Sequence, residues 1–567
     1  MNRARIALSR RLRPLRTRAG LLAVLPTVVV VVALMASAVE LIHFTDKIWF
    51  WADDWDLLFR RGIIPGADRG PFEPHNGHWF TAHIVMYRAI FEIFGLSSYV
   101  PYACVEIAFH LAIAWTTYLL LRRVGARAWA AVGAAVVIAF YGAGANAQIF
   151  AATMNHTGAL LFGLLAAYCL ARVDRDWLAT ALAAICLVVC VMFSGTALAL
   201  LVMVAVFGIA HRGIRTAALT VAPATVAFTL WYLNYGRGIE PWGGDPQLSQ
   251  IPHYVWVGLT GTLADGSGLV GAGPVLLAAL VVSLMVARPE PSGLVSLAGA
   301  GLAAVLVQLV LASIGRFDFG AEQLGLSHYA YINVVLVSPA IGLAFHMALG
   351  GIRRSPLIVA LLATVLVTAY ASYGWTKLVQ WHNDFALLTS ATDEITMGIR
   401  DAYEQGEVIV NDAPLSDIDG DYLPSYVVAP EIRAALPHRP AEPFWRLEAE
   451  GRFFVGVGPD DYALAQPGRV EVVSGLKGRG NVDDPGCHKL TATAPEPVLE
   501  VYVEAGQEIV VWSSSTTVKT KLYRGDLEGS LHEWPVEEGP VHIATSARDT
   551  QLLVSFNGTG NYTVCTG

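Results

Sequence analysis

Long apolar segments separated by short polar loops fill the first two thirds of the chain. Many approach the roughly 20 residues that a helix needs to cross the hydrocarbon of a bilayer. The eleven segments cover residues 21–44, 99–121, 128–141, 157–172, 177–193, 195–211, 217–235, 269–287, 292–314, 329–349 and 356–375. This pattern predicts a polytopic α-helical membrane protein with about eleven transmembrane helices.

Two further apolar segments are too short to span a bilayer. Residues 79–95 carry Arg88 and Glu92 at an i,i+4 spacing among apolar residues, and residues 252–264 are apolar throughout. We interpret both as helices that lie in the outer membrane interface, with a re-entrant segment as the alternative for 252–264.

The last third of the chain has a different pattern. Short segments of alternating or continuous apolar residues are separated by Gly, Pro and Asp, which is typical of β-strands. They begin at Glu407, Arg452, Arg469, Val498, Glu508 and Gln551. We therefore predict an all-β, sandwich-like domain over residues 385–567.

Composition and charge support a chain of two unlike parts. The chain is 54% hydrophobic and only 15% charged, which excludes an ordinary soluble protein. Residues 385–567 contain 13 Lys and Arg against 28 Asp and Glu, whereas residues 1–384 contain 25 against 18. Parts with opposite net charge are expected to face different solvents.

The distribution of basic residues predicts the orientation in the membrane. Residues 1–20 form a basic arm with seven arginines and no acid, so the N-terminus is expected in the cytoplasm. A cleaved signal peptide is the competing interpretation, but the segment 21–44 is longer than the apolar part of such a peptide. Eleven crossings then place the loop 45–98 and the domain 385–567 outside. The Ala-, Val-, Gly- and Arg-rich composition is typical of a bacterium, so the membrane is expected to be a bacterial plasma membrane.

Two of the six cysteines lie outside the apolar segments. In an extracytoplasmic domain Cys487 and Cys565 are expected to form a disulfide. The other four lie within the predicted spans, where a small apolar role is expected.

The loop 45–98 contains the densest group of chemically active side chains. Asp53 and Asp54 lie among aromatic residues just after the first span, and Glu73, His75, Asn76 and His78 follow within the same loop. Charge at a membrane surface is costly to keep, which favours a functional site. The alternative is that the Asp pair merely caps a helix.

These features resemble the GT-C superfamily of bacterial polyprenyl-phosphate-sugar-dependent glycosyltransferases. Asp53-Asp54 resembles its acidic motif in the first external loop, and His75-Asn76-Gly77-His78 resembles a His-Asn-Glu-His string of bacterial members. The segment from Gly315-Arg316 to Ser327-His328-Tyr329 resembles a Gly-Arg…Ser-Arg-Tyr arrangement. Gly77 replaces Glu and His328 replaces Arg in these patterns. The resemblance covers about residues 20–375 and implies a GT-C-like transmembrane domain over 21–384 with a catalytic loop at 45–98.

The chemistry of sugar transfer assigns expected roles to these residues. A carboxylate, Asp53 or Asp54, would accept the proton of the acceptor hydroxyl, and cations would stabilise the departing phosphate. The expected donor phosphate ligands are Arg316, His328, Tyr329, His75 and His78. The expected pocket residues are Glu73, Asn76, Asn146, Gln148, Asn155 and His156. The alternatives are a snorkelling role for Arg316 and helix capping for the polar residues of 142–156.

A metal ion is an open expectation. Asp53, Asp54 and His75 are the residues that would hold a divalent cation such as Mg²⁺ or Mn²⁺. Family members differ in this respect, and a His-x-x-His spacing without a helical Glu is no zinc-protease motif.

The predicted function is inverting glycosyl transfer from a polyprenyl-phosphate sugar to a glycan, lipid or protein acceptor of the cell envelope. No nucleic-acid partner is expected. A transporter or flippase of lipid-linked sugars is the first alternative. It would require several charged groups inside the spans. The predicted spans contain few such groups, and Glu106 and His110 are the exceptions. A non-catalytic scaffold that displays the C-terminal domain is the second alternative.

Overall fold

The computed structural model describes residues 18–566 with internal gaps. The gaps fall at 62–68, 172–176, 238–246, 288–291, 318–319, 323–326, 352–355, 410, 413–421, 459–465, 468, 475, 479–485, 493–497, 503–506, 514–516, 537–538, 548–549 and 557–560. Most of the predicted basic arm 1–20 lies outside the described residues.

Helices dominate the chain up to residue 404. In order they are α1 Arg18–His43, α2 Thr81–Phe94, α3 Val100–Arg123, α4 Ala128–Ala139, α5 Met154–Leu170, α6 Trp177–Val191, α7 Ala197–Arg212, α8 Ile214–Trp231, α9 Ile251–Ser267, α10 Gly273–Val286, α11 Ser292–Gly315, α12 Ser327–Gly351 and α13 Pro356–Glu404. Every predicted apolar segment coincides with one of these helices.

Several of these helices are suited to a bilayer. Within the described residues five are long and apolar enough to cross it, namely Val24–His43, Val100–Arg123, Ile214–Gly236, Ser292–Gly315 and Ser327–Gly350, and shorter apolar helices lie between them. The predicted class of a polytopic helical membrane protein with a C-terminal β-domain is confirmed. Helix α13 differs from the prediction in length, because it continues beyond the apolar segment 356–375 to Glu404.

Close helix packing in this part depends on small residues. A Cβ atom at Gly301 of α11 would lie 2.4 Å from the carbonyl oxygen of Leu336 on α12, and one at Gly163 of α5 would lie 2.7 Å from Leu200 on α7. Apolar side chains gain little by leaving lipid for a protein interior, so membrane helices gain stability from such close contact.

Helices α2 and α9 occupy the two segments that the sequence assigns to the membrane interface. An Arg88–Glu92 ion pair of 2.9 Å lies on α2. Helix α9 buries Tyr254, Leu259 and Leu263 in the hydrophobic core of the helical part. One face of α9 is therefore covered by protein, and its depth in the membrane stays a prediction.

The C-terminal part begins with short helices and continues as two β-sheets. Helices α14 Pro424–Val428, α15 Pro430–Ala435 and α16 Pro443–Phe453 precede the strands. The strands are β1 Val455–Gly458, β2 Gln466–Pro467, β3 Arg469–Ser474, β4 Leu476–Gly478, β5 Gly486–Ala492, β6 Val498–Tyr502, β7 Gln507–Ser513, β8 Thr517–Arg524, β9 Leu527–Glu528, β10 His532–Pro535, β11 Gly539–Thr545, β12 Gln551–Phe556 and β13 Asn561–Thr566.

The two sheets have the interleaved strand order of a sandwich. One sheet runs β1-β11-β7-β13-β5-β4 with β2 beside β7, and the other runs β10-β8-β12-β6-β3 with β9 beside β8. Phe556 of the second sheet contacts Tyr562 of the first, with ring centroids 5.2 Å apart. A disulfide joins Cys487 of β5 to Cys565 of β13, and the two residues are directly paired in the antiparallel ladder.

One predicted strand is wrong. Val408 and Ile409, which follow Glu407, are apolar but form no strand. The backbone of Val408 is instead engaged by Ser546, which accepts from its N–H and donates to its carbonyl oxygen. The local pattern is that of a strand, but a side chain from a distant loop takes the hydrogen bonds that a ladder would need.

Buried ion pairs fix α16 to the sheets. Glu450 is fully buried and accepts from Arg446 at 2.9 Å and from Arg524 of β8 at 2.6 Å. Burial alone would raise the pKa of Glu448, but hydrogen bonds from Arg452 and the Ser530 N–H hold that pKa below its ordinary value. The stability that Glu448 contributes is present above the ordinary carboxyl pKa and is lost as the pH falls through the lowered value.

The described residues divide into two compact units. The helical unit contains Met1–Asp46, Arg60–Ile93 and Tyr99–Asp384, and the C-terminal unit contains Lys47–Phe59, Phe94–Ser98 and Phe385–Gly567. The loop 45–98 is thus divided. Its acidic part packs with the residues of the C-terminal unit, and its histidines belong to the helical unit.

The orientation in the membrane is directly testable. Reporter fusions at residues 125, 213 and 353 are expected to give cytoplasmic signals, and a fusion at 420 an external one, because basic residues cluster in alternate loops. Paired alkaline phosphatase and fluorescent protein fusions at each position would measure this. A cytoplasmic signal at 420 would contradict the assignment of the acidic loop to the outer face.

Candidate functional site

The acidic motif begins on a strained turn. Ala52 has φ 50° and ψ −118°, and the Asp54 N–H donates to the Trp51 carbonyl oxygen at 3.2 Å. These values match the first central position of a type II′ turn, which favours glycine. A non-glycine residue held there costs about 1–3 kcal/mol and indicates that the surrounding packing fixes the turn.

The two aspartates have different surroundings. Asp54 is completely buried, and its Oδ2 accepts from the Trp51 N–H at 3.0 Å, so it holds the turn in place. Asp53 is partly exposed. Both lie in the first turn of the helix Asp53–Trp55, and Ala52 occupies the cap position, so neither is the N-cap residue of the competing interpretation.

Aromatic packing holds this turn within the C-terminal unit. Trp55 is fully buried and meets the Tyr422 ring edge-on at 5.0 Å. Phe59 stacks on Tyr426 at 4.3 Å, and Trp51 contacts Phe385 at 5.7 Å. The turn that carries Asp53 and Asp54 is therefore held by aromatic packing.

The string His75-Asn76-Gly77-His78 forms a tight turn in the helical unit. His75 and His78 exchange backbone hydrogen bonds of 3.0 and 2.8 Å, and φ is positive at Asn76 (47°) and Gly77 (81°). Two positive φ values define a type I′ turn, for which Asn-Gly is the preferred pair. Gly77 thus has a conformational reason to stand where the resembling family has Glu.

His75 is held by a buried arginine. Arg61 is 1% exposed, and it donates to the carbonyl oxygens of Glu73 and Pro74 and to Nδ1 of His75 at 2.9 Å. A guanidinium only donates, so Nδ1 accepts and the proton of a neutral His75 ring lies on Nε2. Asn76 Nδ2 lies 3.2 Å from Nε2, and a flip of the amide by 180° would bring its oxygen there as the acceptor. Both ring nitrogens of His75 are engaged, which makes it a support for the turn, whereas the Glu73 side chain is exposed.

The other predicted cations meet around His156. The rings of His156 and His328 stack with centroids 5.6 Å apart and an interplanar angle of 3°, and His78 lies edge-on to His156 at 6.5 Å. Arg316 and His83 also lie within electrostatic range of His156. We call His78, His156, His328 and Arg316 the cation cluster.

Three helices bring their N-terminal ends to this cluster. His156 lies in the first turn of α5, His328 lies in the first turn of α12, and Thr196, which hydrogen bonds to His156, immediately precedes α7. The N-terminal end of a helix carries a partial positive charge. The helix dipoles and the side chains therefore favour the same ligand, an anion.

Residues outside the predicted site position the cluster. Tyr254 of α9 donates to the carbonyl oxygen of Phe317 at 2.8 Å and stacks on its ring, which fixes the chain next to Arg316. Ser194 and Thr196 contact the ring of His156. The one available signal was the polar interruption Ser194-Gly195-Thr196 between two apolar segments.

The remaining predicted pocket residues have defined places. The Asn146 N–H donates to Ser327 at 3.0 Å, next to His328, and Gln148 donates to the carbonyl oxygen of Tyr141 at 2.7 Å. Asn155 and Tyr329 are largely buried. The loop 142–156 is therefore tied to the start of α12. Contact of these side chains with a sugar stays a prediction.

The described residues contain no group of three or more His, Cys, Asp or Glu side chains arranged to hold a metal ion. Of the predicted set, Asp53 and Asp54 pack in the C-terminal unit, and His75 belongs to the helical unit. A metal requirement stays a prediction.

Comparison with known proteins finds similarity among solved structures. No family model and no curated protein matches the chain. Among solved structures, the chain is similar to the cryo-EM structure of the arabinofuranosyltransferase AftD from Mycobacteria, with 12% sequence identity and a TM-score of 0.36. The match covers 94% of this chain and 58% of AftD, so the chain spans little more than half of that protein.

Proposed function

We propose that this protein is an integral membrane glycosyltransferase that moves a sugar from a polyprenyl phosphate to an acceptor of the bacterial cell envelope. The observation that carries the proposal is the cation cluster, in which three imidazoles, a guanidinium and three helix N-termini come together. A phosphate is the anionic group that such a set of donors suits, and Arg316 can bind it through two parallel N–H groups.

The chemical step needs a negatively charged base at the acceptor and positively charged groups at the departing phosphate. The acceptor O–H gives its proton to an aspartate carboxylate while its oxygen attacks the anomeric carbon of the donor sugar. The bond between that carbon and the phosphate oxygen breaks with inversion, and the polyprenyl phosphate leaves with one more negative charge than it had as a diester. The cation cluster stabilises this added charge.

Asp53 is the carboxylate that we assign as the general base. It is partly exposed, whereas Asp54 is buried and accepts from the backbone of the turn. A base must reach the proton that it removes, which favours the accessible carboxylate. The acceptor is expected on the outer face of the plasma membrane, with the N-terminus inside.

A transporter remains the weaker alternative. Glu106 and His110 are buried in α3, and each has a partner within the helical unit: Thr157 donates to Glu106 at 2.8 Å, and Tyr331 lies 2.7 Å from Nδ1 of His110. Both ring nitrogens of His110 are bonded, and Glu106 is bonded through Oε2, while its Oε1 is buried without a partner among the described residues. A transport pathway would require further charged residues along its length.

Replacing Arg316 with Ala is expected to weaken donor binding by about 10- to 100-fold, because a lost charge-assisted hydrogen bond is worth roughly 1.5–3 kcal/mol. The transfer rate from a synthetic polyprenyl-phosphate sugar in reconstituted vesicles should fall with it. Both are measured on purified protein, by donor titration and by product formation.

The matched control is Arg237→Ala, since Arg237 is exposed and is predicted on the same side of the membrane. Donor affinity within about twofold of wild type in Arg316→Ala would remove the phosphate role from the cluster.

A further inference from the structure

The turn Ser194-Gly195-Thr196 between α6 and α7 touches two members of the cation cluster. Ser194 and Thr196 are buried, and their hydroxyl oxygens lie 3.3 and 3.1 Å from Nδ1 of His156. A Cβ atom on Gly195 would lie 2.5 Å from Nδ1 of His78. Polar residues are therefore concentrated at one point between two apolar helices.

The hydrogen bonds of this turn have a consistent direction. The Thr196 N–H donates to Ser194 Oγ at 3.3 Å, and the Ser194 hydroxyl donates to Thr196 Oγ1 at 3.4 Å. Thr196 Oγ1 therefore accepts a hydrogen bond from Ser194 and can donate its own hydroxyl hydrogen to Nδ1 of His156, which lies 3.1 Å away. Nδ1 then acts as an acceptor, and the single proton of a neutral imidazole lies on Nε2.

Nε2 of His156 has no hydrogen-bond partner among the residues that the structure describes. The ring is only partly buried and stacks against His328. His156 can therefore donate its Nε2–H to a ligand in the cluster without first being protonated. This matters because removal of the ring from water, together with the electrostatic effect of His328, His78, His83 and Arg316, opposes a positive charge on it.

Gly195 leaves room for the ring of His78. Because any side chain at this position would collide with His78, only glycine lets His78 lie directly against the turn. The Ala82 N–H also donates to the Met192 carbonyl oxygen at 3.0 Å, which anchors the start of α2, and with it the nearby His78, to the same connection.

We propose that the Ser194-Gly195-Thr196 turn is the positioning element of the donor phosphate site. It holds His156 in the Nε2–H tautomer, so that this N–H donates to a phosphate oxygen, and it leaves the space that His78 occupies. This inference rests on the proposed function, and its ligand is the phosphate group, carried by a lipid or free in solution.

Thr196→Val tests the hydroxyl. Valine keeps the shape of threonine but cannot donate to Nδ1, so the ring loses its fixed tautomer. The dissociation constant for a short-chain polyprenyl monophosphate, measured by fluorescence titration of full-length protein in detergent, is expected to rise about tenfold. Thr196→Ser should restore it to within about twofold, and Thr225→Val, an exposed threonine that bonds only to its own helix, is the control.

Gly195→Ala tests whether the space beside His78 is needed for binding. It is expected to raise the same dissociation constant about tenfold, whereas Gly299→Ala should leave it unchanged, because a Cβ at Gly299 would meet nothing within 4 Å. The thermal midpoint of each variant is measured alongside. If Thr196→Val fails to fold, His156→Gln and His156→Leu replace it: glutamine retains an N–H donor and should bind at least threefold more tightly than leucine.

The outcomes separate the two proposals. Inorganic phosphate added as a competitor distinguishes a site for the anion alone, which it would fill, from one that also requires the lipid, which it would not. If wild-type protein binds neither polyprenyl monophosphate nor phosphate, the proposed function and this inference both fail. If wild type binds but Thr196→Val binds equally well, or Thr196→Ser is as weak as valine, the positioning role alone is overturned.

Discussion

Asp53→Asn is expected to reduce sugar transfer by about 10²- to 10⁴-fold, the contribution of a general base, while donor binding stays within about twofold of wild type. An amide cannot take the proton of the acceptor hydroxyl, whereas the donor phosphate is assigned to cations in the other unit. A lowered rate with unchanged donor affinity marks a group that acts in the transition state. Single-turnover transfer and donor titration on the same preparation would measure both.

Asp54→Asn is the matched comparison. The amide introduced by this substitution would still offer an oxygen to the Trp51 N–H, so the turn and the buried packing of Trp55 are retained. We expect a reduction of no more than about tenfold. A reversed order of effects would exchange the roles of the two aspartates, and normal turnover in both variants would show that the base lies elsewhere.

Removal of the disulfide between Cys487 and Cys565 is expected to lower the free energy of unfolding of the C-terminal unit by about 4.5 kcal/mol. The two cysteines are 78 residues apart, and the chain-entropy model gives this value for a loop of that length. The effect should be confined to this unit, because no other cysteine of the described chain lies in it. Pulse proteolysis in urea, with the fragment containing β5 followed on a gel, would measure the change in Cys487→Ser.

Cys169→Ser provides the control, since Cys169 lies in α5 of the helical unit, away from the disulfide. Reduction of wild-type protein should reproduce the Cys487→Ser result. An unchanged unfolding midpoint in both cases would mean that the pairing of β5 with β13 is maintained by the sheet alone.

The sequence departs from the GT-C motifs that it resembles at Gly77 and at His328. The backbone conformation explains Gly77, and the ring stacking of His328 gives that residue a different role from an arginine. Gly77 occupies a position of positive φ, where Glu would be strained. The main role of the segment His75-Asn76-Gly77-His78 is therefore to form a turn. His328 occupies the place of an arginine and stacks on His156. A planar imidazole permits this stacking, and Arg316 supplies the permanent positive charge nearby.

The sequence by itself determined the parts of this protein that depend on local pattern. Apolar segments of membrane length identified the helices, because a backbone in lipid must satisfy its own hydrogen bonds within each helix. Alternation with Gly and Pro punctuation identified five of the thirteen described strands of the C-terminal sheets, namely β1, β3, β6, β7 and β12. Residue type and loop position, together with the resemblance to the GT-C motifs, also identified Asp53 or Asp54 as the candidate base and Arg316 as a candidate phosphate ligand.

Tertiary structure decided what depends on residues far apart in the chain. The apolar segment at Val408 is no strand because Ser546 takes its backbone hydrogen bonds, and Asp54 differs from its neighbour because the chain turns back on Trp51. Thr196 became a candidate only when the fold brought it to His156, 40 residues earlier. Hydrogen bonds and burial of this kind are set by which segments meet in space, and single-sequence patterns report only the preference of each segment for its own conformation and solvent.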